Sequence, residues 1–306
     1  MPKAYAYTRH GGPGTEAFIE VDRPVPGPGE LLVEVRAAGV NPVDWKLRNG
    51  LRRPGAAEAE FPAVFGSEIA GVVAEPGPGV TGFAAGEAVF GNPVGGGYAQ
   101  YVLLPVSLAA RKPDALAFTD AATLPVAAAT AHDAVRQLAL PAGATLLING
   151  VGGGVGVAAA QIARSLGVRV VGTASAAKKE FVEELGAVHV PSGEEGLAER
   201  VRAAAPAGVD AALDLVGGPA LEAVAALVDP ARLVTAADPA AAARLGASPV
   251  RRARTVEVLD AVARLVVDGT LRPYVTATYP LERAAEALRA VEAGHVRGKV
   301  VIEVAA

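Results

Sequence analysis

The segment Leu146-Leu147-Ile148-Asn149-Gly150-Val151-Gly152-Gly153-Gly154-Val155-Gly156 constrains the fold more than any other part of the chain. An apolar run of strand length ends in a glycine cluster that opens a helix. Glycine tolerates positive φ and lets the backbone approach a ligand closely. A helix N-terminus offers unpaired N–H groups and the positive end of its dipole. The combination predicts a pyrophosphate cradle built from Gly150, Gly152, Gly153, Gly154, Val155 and Gly156. Glycines 150, 153 and 156 follow a GxxGxxG spacing, not the commoner GxGxxG. The glycines alone would equally serve a tight turn and close helix packing, so the flanking pattern has to decide.

That pattern favours a doubly wound α/β sheet. Thr145–Asn149, Val168–Thr173, Val209–Leu215 and Arg232–Ala236 are continuous apolar runs of the kind found in parallel strands covered on both faces. Helices are predicted between them at Val155–Leu166, Lys178–Leu185, Leu197–Ala204 and Pro219–Val228. The first third of the chain reads differently. Short strands at Ala4–Thr8, Leu31–Ala38, Ile69–Glu75, Ala88–Gly91 and Tyr98–Pro105 lie between Gly- and Pro-rich turns. A helix over Val256–Val267, another over Leu281–Ala293 and a strand at Lys299–Val304 close the chain. With 306 residues there is room for two domains without disulfide or metal staples. The boundaries expected are a β domain at 1–118, a dinucleotide domain at 119–268 and a tail, 269–306, that returns to the first. The alanine-rich stretch Ala236–Ala247 reads as a loop and a short helix.

The second strand of the α/β half selects the cofactor. NAD sites place a carboxylate about 20 residues past the glycine turn to bond the ribose 2′-hydroxyl, whereas a 2′-phosphate calls for a nearby cation. Here the strand runs into Thr173-Ala174-Ser175-Ala176-Ala177-Lys178-Lys179, and no acid intervenes before Glu180. Ser175 can donate to a phosphate oxygen and Lys178 or Lys179 can supply the counter-charge. NADPH is therefore expected over NADH, although a solvated helix start would use the same residue types.

Other chemistries are excluded by composition. The chain has no Cys, which removes thiol nucleophiles, disulfides, iron–sulfur clusters and thiolate zinc sites. Four His, at 10, 132, 189 and 295, show no metal-ligand spacing on one element. A formal charge of −4 without a long basic run argues against nucleic acid as a partner. Gln137–Ala163 carries no charge, but Pro141 and its glycines interrupt any continuous spanning helix, so no membrane association is expected. The start, Met1-Pro2-Lys3-Ala4-Tyr5, lacks an apolar signal-like stretch, which makes a cytoplasmic location the expectation.

Several further segments carry a family resemblance: Ala37-Ala38-Gly39-Val40-Asn41-Pro42-Val43-Asp44-Trp45-Lys46, Phe61-Pro62-Ala63-Val64-Phe65-Gly66-Ser67-Glu68, Leu124-Pro125-Val126-Ala127-Ala128-Ala129-Thr130-Ala131, the glycine turn, Asp214-Leu215-Val216-Gly217-Gly218 and Gly298-Lys299-Val300-Val301. In order and spacing they resemble the zinc-independent quinone oxidoreductase (zeta-crystallin-like) branch of the medium-chain dehydrogenases/reductases, over nearly the whole chain. The resemblance implies a GroES-like β domain, a Rossmann domain, and hydride delivery from NADPH to a quinone or to the β-carbon of an enone. It implies that Asn41 and Thr130 approach the nicotinamide and that Thr173, Val216, Gly217 and Ala236 join the cofactor contacts. Asn41 and Ser67 stand where zinc-dependent relatives carry a Cys and a His ligand, and amide and hydroxyl are poor substitutes for them, so no metal is expected. Glu68, next to the lost ligand, is expected to be structural, beside an Arg or backbone.

Little acid–base chemistry is then asked of the protein. Asn41, Asp44 and Lys46 are the catalytic candidates, with Arg48 on the same segment able to face the cleft. Lys46 could polarise a carbonyl or donate a proton; an exposed, solvated Lys fits the same residue. Trp45 is expected in the core, and His132 and His189 in packing or capping roles. Pro191-Ser192-Gly193 replaces a Tyr with which relatives help hold the adenosine phosphate, which implies modest NADPH affinity. A homodimer is expected through an edge of the Rossmann sheet, formed near Pro273-Tyr274-Val275-Thr276 or in the alanine-rich region. Two other functions fit the same motifs: an NADPH-binding protein with little turnover, and a narrow biosynthetic enoyl reductase.

Overall fold

The computed structural model describes residues 1–52, 59–193, 195–294 and 296–305; His295 thus lies outside the described residues. The chain forms two compact units, one of residues 1–126, 254–267 and 275–306, the other of residues 127–253 and 268–274.

In the first unit the Gly/Pro-punctuated sequence makes short strands: β1 (Lys3–Tyr7), β2 (Glu16–Glu20), β3 (Glu30–Val40), β4 (Ala63–Val64), β5 (Ile69–Pro76), β6 (Ala88–Gly91), β7 (Tyr101–Pro105) and β8 (Ala109–Arg111). Helix α1 (Pro42–Arg48) follows β3, and α2 (Phe118–Ala121) precedes a π-helical turn at Leu124–Ala128. β1 pairs with β2 and β4 in a small antiparallel sheet. β3 is the axis of the larger sheet, antiparallel to both β5 and β7.

The second unit is a helix-covered parallel sheet. Its chain begins with α3 (Ala129–Leu138) and continues β9 (Thr145–Asn149), α4 (Gly154–Ser165), β10 (Arg169–Ala174), α5 (Lys179–Glu184), β11 (Val188–Pro191), α6 (Leu197–Ala204), β12 (Ala211–Asp214), α7 (Gly218–Ala225), β13 (Leu233–Thr235), α8 (Pro239–Arg244) and β14 (Ser248–Pro249). The strand order is β11-β10-β9-β12-β13-β14, all neighbours parallel. This is the doubly wound arrangement, whose order reverses between β9 and β12. Every residue of β9 and β12 is buried, which is why both have apolar interiors, each closed by one polar residue, with Thr145 a second polar residue at the start of β9. The alanine-rich stretch forms α8, with Ala241 and Ala242 packed inside.

The remaining elements, α9 (Val256–Val267), β15 (Val275–Pro280), α10 (Ala284–Glu292) and β16 (Lys299–Glu303), belong to the first unit. β16 lies antiparallel to β3 and parallel to β15, so the larger sheet runs β15-β16-β3-β5-β6-β8. The residues 273–276 therefore do not edge the Rossmann sheet as expected. The alternating exposure of β15 is edge-like, but its partner is β16, whose register no local pattern reveals. The free edge next to β13 is β14, just beyond the alanine-rich stretch. No helix among the described residues is long and apolar enough to cross a membrane.

Candidate active site

Ligands of doubly wound sheets bind outside the carboxyl ends of the strands at the reversal point. Here that point is the turn after β9. Gly150, at φ +90°, donates its N–H to the Thr173 hydroxyl at 3.0 Å, and Val151 N–H donates to the Thr173 carbonyl at 3.0 Å. A Cβ on Gly156 would lie 2.5 Å from the Gly150 carbonyl oxygen and 2.6 Å from Val151 Cα, so only glycine lets α4 sit down on the turn. Gly153 is the N-cap of α4 and brings no side chain to its first N–H groups. Those donors, on Gly154, Val155 and Gly156, fit an anionic ligand.

Four buried polar residues at or beside the carboxyl ends of the strands lock this region. The Thr173 hydroxyl donates to Asn149 Oδ1 at 2.7 Å, and Asn149 Nδ2 donates to Asp214 Oδ1 at 2.7 Å. Asp214, fully buried, also accepts from the Thr235 hydroxyl at 2.6 Å and from the Val216 and Gly217 N–H groups. Ala236 N–H donates to the Asp214 carbonyl. Thr173 thus holds the turn from behind. Val216, half exposed, stands against Gly150. This network was not anticipated, although its signal was present: a single polar residue closing each apolar run has to be paired when buried.

The cation expected for a phosphate lies over the same turn. A Cβ on Gly152 would fall 2.7 Å from Lys178 Cδ and 3.6 Å from its Nζ, so Lys178 is laid across the glycines. Ser175 is exposed at the end of β10. Lys179 is exposed and stands 3.9 Å from the Glu183 carboxylate. Thr130 stands buried in the first turn of α3, which packs on α4. His189 contacts the carbonyls of Ala174 and Ser175 in a structural role.

In the first unit, the candidate residues cluster where β3 gives way to α1. Asn41 is the N-cap, Pro42 fills the first helical position, and Asp44 accepts the Asn41 N–H on Oδ2 at 2.8 Å, completing a reciprocal cap. The Asn41 amide is held on both sides: its Oδ1 accepts from Lys299 Nζ at 2.6 Å, and its Nδ2 donates to Glu68 Oε1 at 2.8 Å. Lys299 also donates to Glu68 Oε1 at 2.8 Å and to the Val40 carbonyl at 3.0 Å. Glu68 Oε2 accepts the Val126 N–H in the π-helical turn at 2.7 Å. Gly39 makes room for this carboxylate, since a Cβ there would lie 2.1 Å from Glu68 Oε1. Backbone contact to Glu68 was expected; its cation is Lys299, not an Arg.

Asp44 is wholly buried, and burial pushes its carboxyl up to about 6 in spite of hydrogen bonds from Asn41, Ser67 and Tyr98 and the Lys299 charge. Lys46 is half-buried, its Nζ 5.8 Å from the Trp45 ring centre, and Trp45 packs on the core. Arg48 does not face a cleft. It is fully buried and paired with Glu16 and Glu292.

Residues 27–114 match the family model of the alcohol dehydrogenase GroES-like domain, and residues 185–302 match that of a zinc-binding dehydrogenase. A spinach protein called a chloroplastic quinone-oxidoreductase homolog is 31% identical, over 98% of each chain. The structure superposes on a quinone oxidoreductase from Coxiella burnetii with a TM-score of 0.89 at 28% identity over 99% of each chain. It superposes on a mycobacterial protein solved in complex with NADPH with a TM-score of 0.87 at 31% identity, over 99% of this chain and 100% of the other. The chain belongs to the quinone oxidoreductase family of the medium-chain dehydrogenases/reductases, a family of oxidoreductases.

Proposed function

We propose that the protein is an NADPH-dependent, zinc-independent reductase of quinones or α,β-unsaturated carbonyls, acting as a cytoplasmic homodimer. The observation that carries the cofactor reading is Lys178 lying across a glycine turn whose helix has no side-chain cap, with no acid between Thr173 and Glu180. When bound, NADPH supplies a hydride to an electron-poor carbon. Gly150, Gly152, Gly153, Gly154, Val155 and Gly156 would hold its pyrophosphate, Ser175, Lys178 and Lys179 its 2′-phosphate, and Thr173, Val216, Gly217 and Ala236 the wall beside them. Asn41 and Thr130 would meet the nicotinamide.

The donor set near Asn41 does not fit a zinc ion. Lys299 brings a fixed positive charge within 2.6–3.0 Å of Asn41 Oδ1, Glu68 Oε1 and the Val40 carbonyl, the oxygens a metal would need. Because both ends of its amide are bound, Asn41 acts by position and is no base. Lys46 supplies positive charge where a carbonyl oxygen becomes anionic.

NADPH oxidation with a panel of quinones and enones tests the reading. Turnover is expected to prefer NADPH over NADH and to be indifferent to chelators. Asn41→Ala should lower kcat/KM for both acceptor classes, and Lys46→Met should affect enones more than quinones, which can take protons from water. Tight NADPH binding without oxidation by any acceptor would refute the assignment in favour of a binding protein.

A further inference from the structure

Ser67 and Glu68 are consecutive, and between them they hold two side chains at the head of α1: Glu68 binds Asn41 and Ser67 binds Asp44. Asp44 Oδ2 accepts the Asn41 N–H at 2.8 Å and the Tyr98 hydroxyl at 2.9 Å, while Oδ1 accepts the Ser67 hydroxyl at 2.8 Å. A backbone N–H cannot reverse its direction, so a proton added to Asp44 has its place on Oδ1, facing Ser67. The Ser67 hydroxyl can reverse, accepting from Asp44 and turning its own hydrogen outward. Asp44 and Tyr98 are 1% and 0% exposed and Asn41 is buried, whereas Ser67 is only half-buried. Ser67 is therefore the path by which a proton leaves or reaches this carboxyl.

We propose that Ser67 and Asp44 form a proton relay, with Ser67 donating to the acceptor after hydride addition and Asp44 holding the proton in reserve. The proposal rests on the reductase reading above. Hydride addition at the β-carbon leaves an enolate on the substrate. The Ser67 O–H bond breaks as a new bond forms between that hydrogen and the enolate, and the Ser67 oxygen takes the proton of Asp44 Oδ1–H. Asp44 remains as a carboxylate held by donors from Asn41, Tyr98 and Ser67. Water reprotonates it through Ser67 once product has left, so each turnover draws one proton from solvent.

The supply of protonated Asp44 sets a pH limb. Burial raises this carboxyl to about 6, opposed by its three donors and by the Lys299 ammonium; Glu68 is the other charge packed nearby, and it bears on the Tyr98 hydroxyl. Above that pH, kcat/KM for an enone should fall about tenfold per unit. Ser67→Ala should lower the enone kcat/KM by about tenfold or more near pH 6 and abolish the limb, and Ser67→Thr, which keeps the hydroxyl, should restore both. A readout without cofactor accompanies this: in protein with 13C-labelled Asp carboxyls, NMR should find one carboxyl titrating near pH 6, absent in Asp44→Asn and shifted upward in Ser67→Ala. A Ser67→Ala protein that keeps the wild-type rate and pH profile, or a titration with no such carboxyl, overturns the relay while leaving the reductase reading intact. Wild-type protein that fails to oxidise NADPH with every quinone and enone supplied defeats the functional reading, and the relay falls with it.

Discussion

Replacing Arg48 by Met should be among the most damaging single changes in the first unit. Its guanidinium, 0% exposed, donates to Glu16, to Glu292 at 2.6 Å, to the Gly11 carbonyl at 3.1 Å and to Asn49 Oδ1 at 3.0 Å. The Glu16 side chain is 2% exposed, and its remaining partner among the described residues is the Tyr5 hydroxyl at 2.6 Å. Arg48→Met therefore strands a buried carboxylate, a change that costs about 3–5 kcal/mol. Glu292 keeps more than a quarter of its side chain in water, so Glu292→Gln should cost about 1 kcal/mol or less. Trp45, the only Trp in the chain, sits on α1 against the same core, so its fluorescence reports this unit's unfolding in urea. At an m-value of about 2 kcal/mol per M, the Arg48→Met midpoint should drop by roughly 2 M. An Arg48→Met/Glu16→Leu double variant should recover much of the loss, because no charge is then stranded. A single-variant loss below about 1 kcal/mol, or a double variant no better than the single, would refute the reasoning.

Three further outcomes are expected. Lys178→Ala/Lys179→Ala should weaken NADPH binding by roughly 1.5–3 kcal/mol, a charge-assisted contact, and leave NADH binding nearly unaltered; titration of both cofactors checks it. Asp44, raised from 3.8 to about 6 by burial, binds its proton more tightly folded than unfolded, so its contribution to stability is full below pH 4 and is lost as pH rises through about 6. The stability of the wild type relative to Asp44→Asn should accordingly fall by about 2.4 kcal/mol between pH 4 and 7 in urea titrations. Sedimentation should find a homodimer, with a charge introduced at Ser248 on the β14 edge dissociating it; a monomer at all concentrations would reject the edge pairing.

The α/β half was legible because its signals are local. Thr145–Asn149, Leu197–Ala204 and the glycine turn stand where periodicity and turn chemistry put them. The β half was legible as strands but not as a site. Helix α1 was missed even though Asn41-Pro42-Val43-Asp44 is a capping pattern, because it spans only Pro42–Arg48 and mixes charged with apolar residues. Arg48 looked like a cleft residue since a lone Arg in a short segment gives no hint of a partner at Glu292, far along the chain. The cation for Glu68 was hidden in the same way: Lys299 reads as one polar residue in an apolar terminal strand until β16 is laid beside β3.

That last pairing has a consequence for biosynthesis. Asn41 and Glu68 are made early, yet the ammonium that binds them both arrives with β16, more than two hundred residues later. While the chain emerges, the parallel-sheet unit has nearly all of its residues before the β3 sheet can receive its returning strands. A nascent or truncated chain that stops short of residue 299 thus contains every residue of the parallel-sheet unit while its Asn41 amide and Glu68 carboxylate lack their counter-charge. Formation of the buried Asn41–Glu68–Lys299 cluster is in this way deferred until synthesis has passed Lys299.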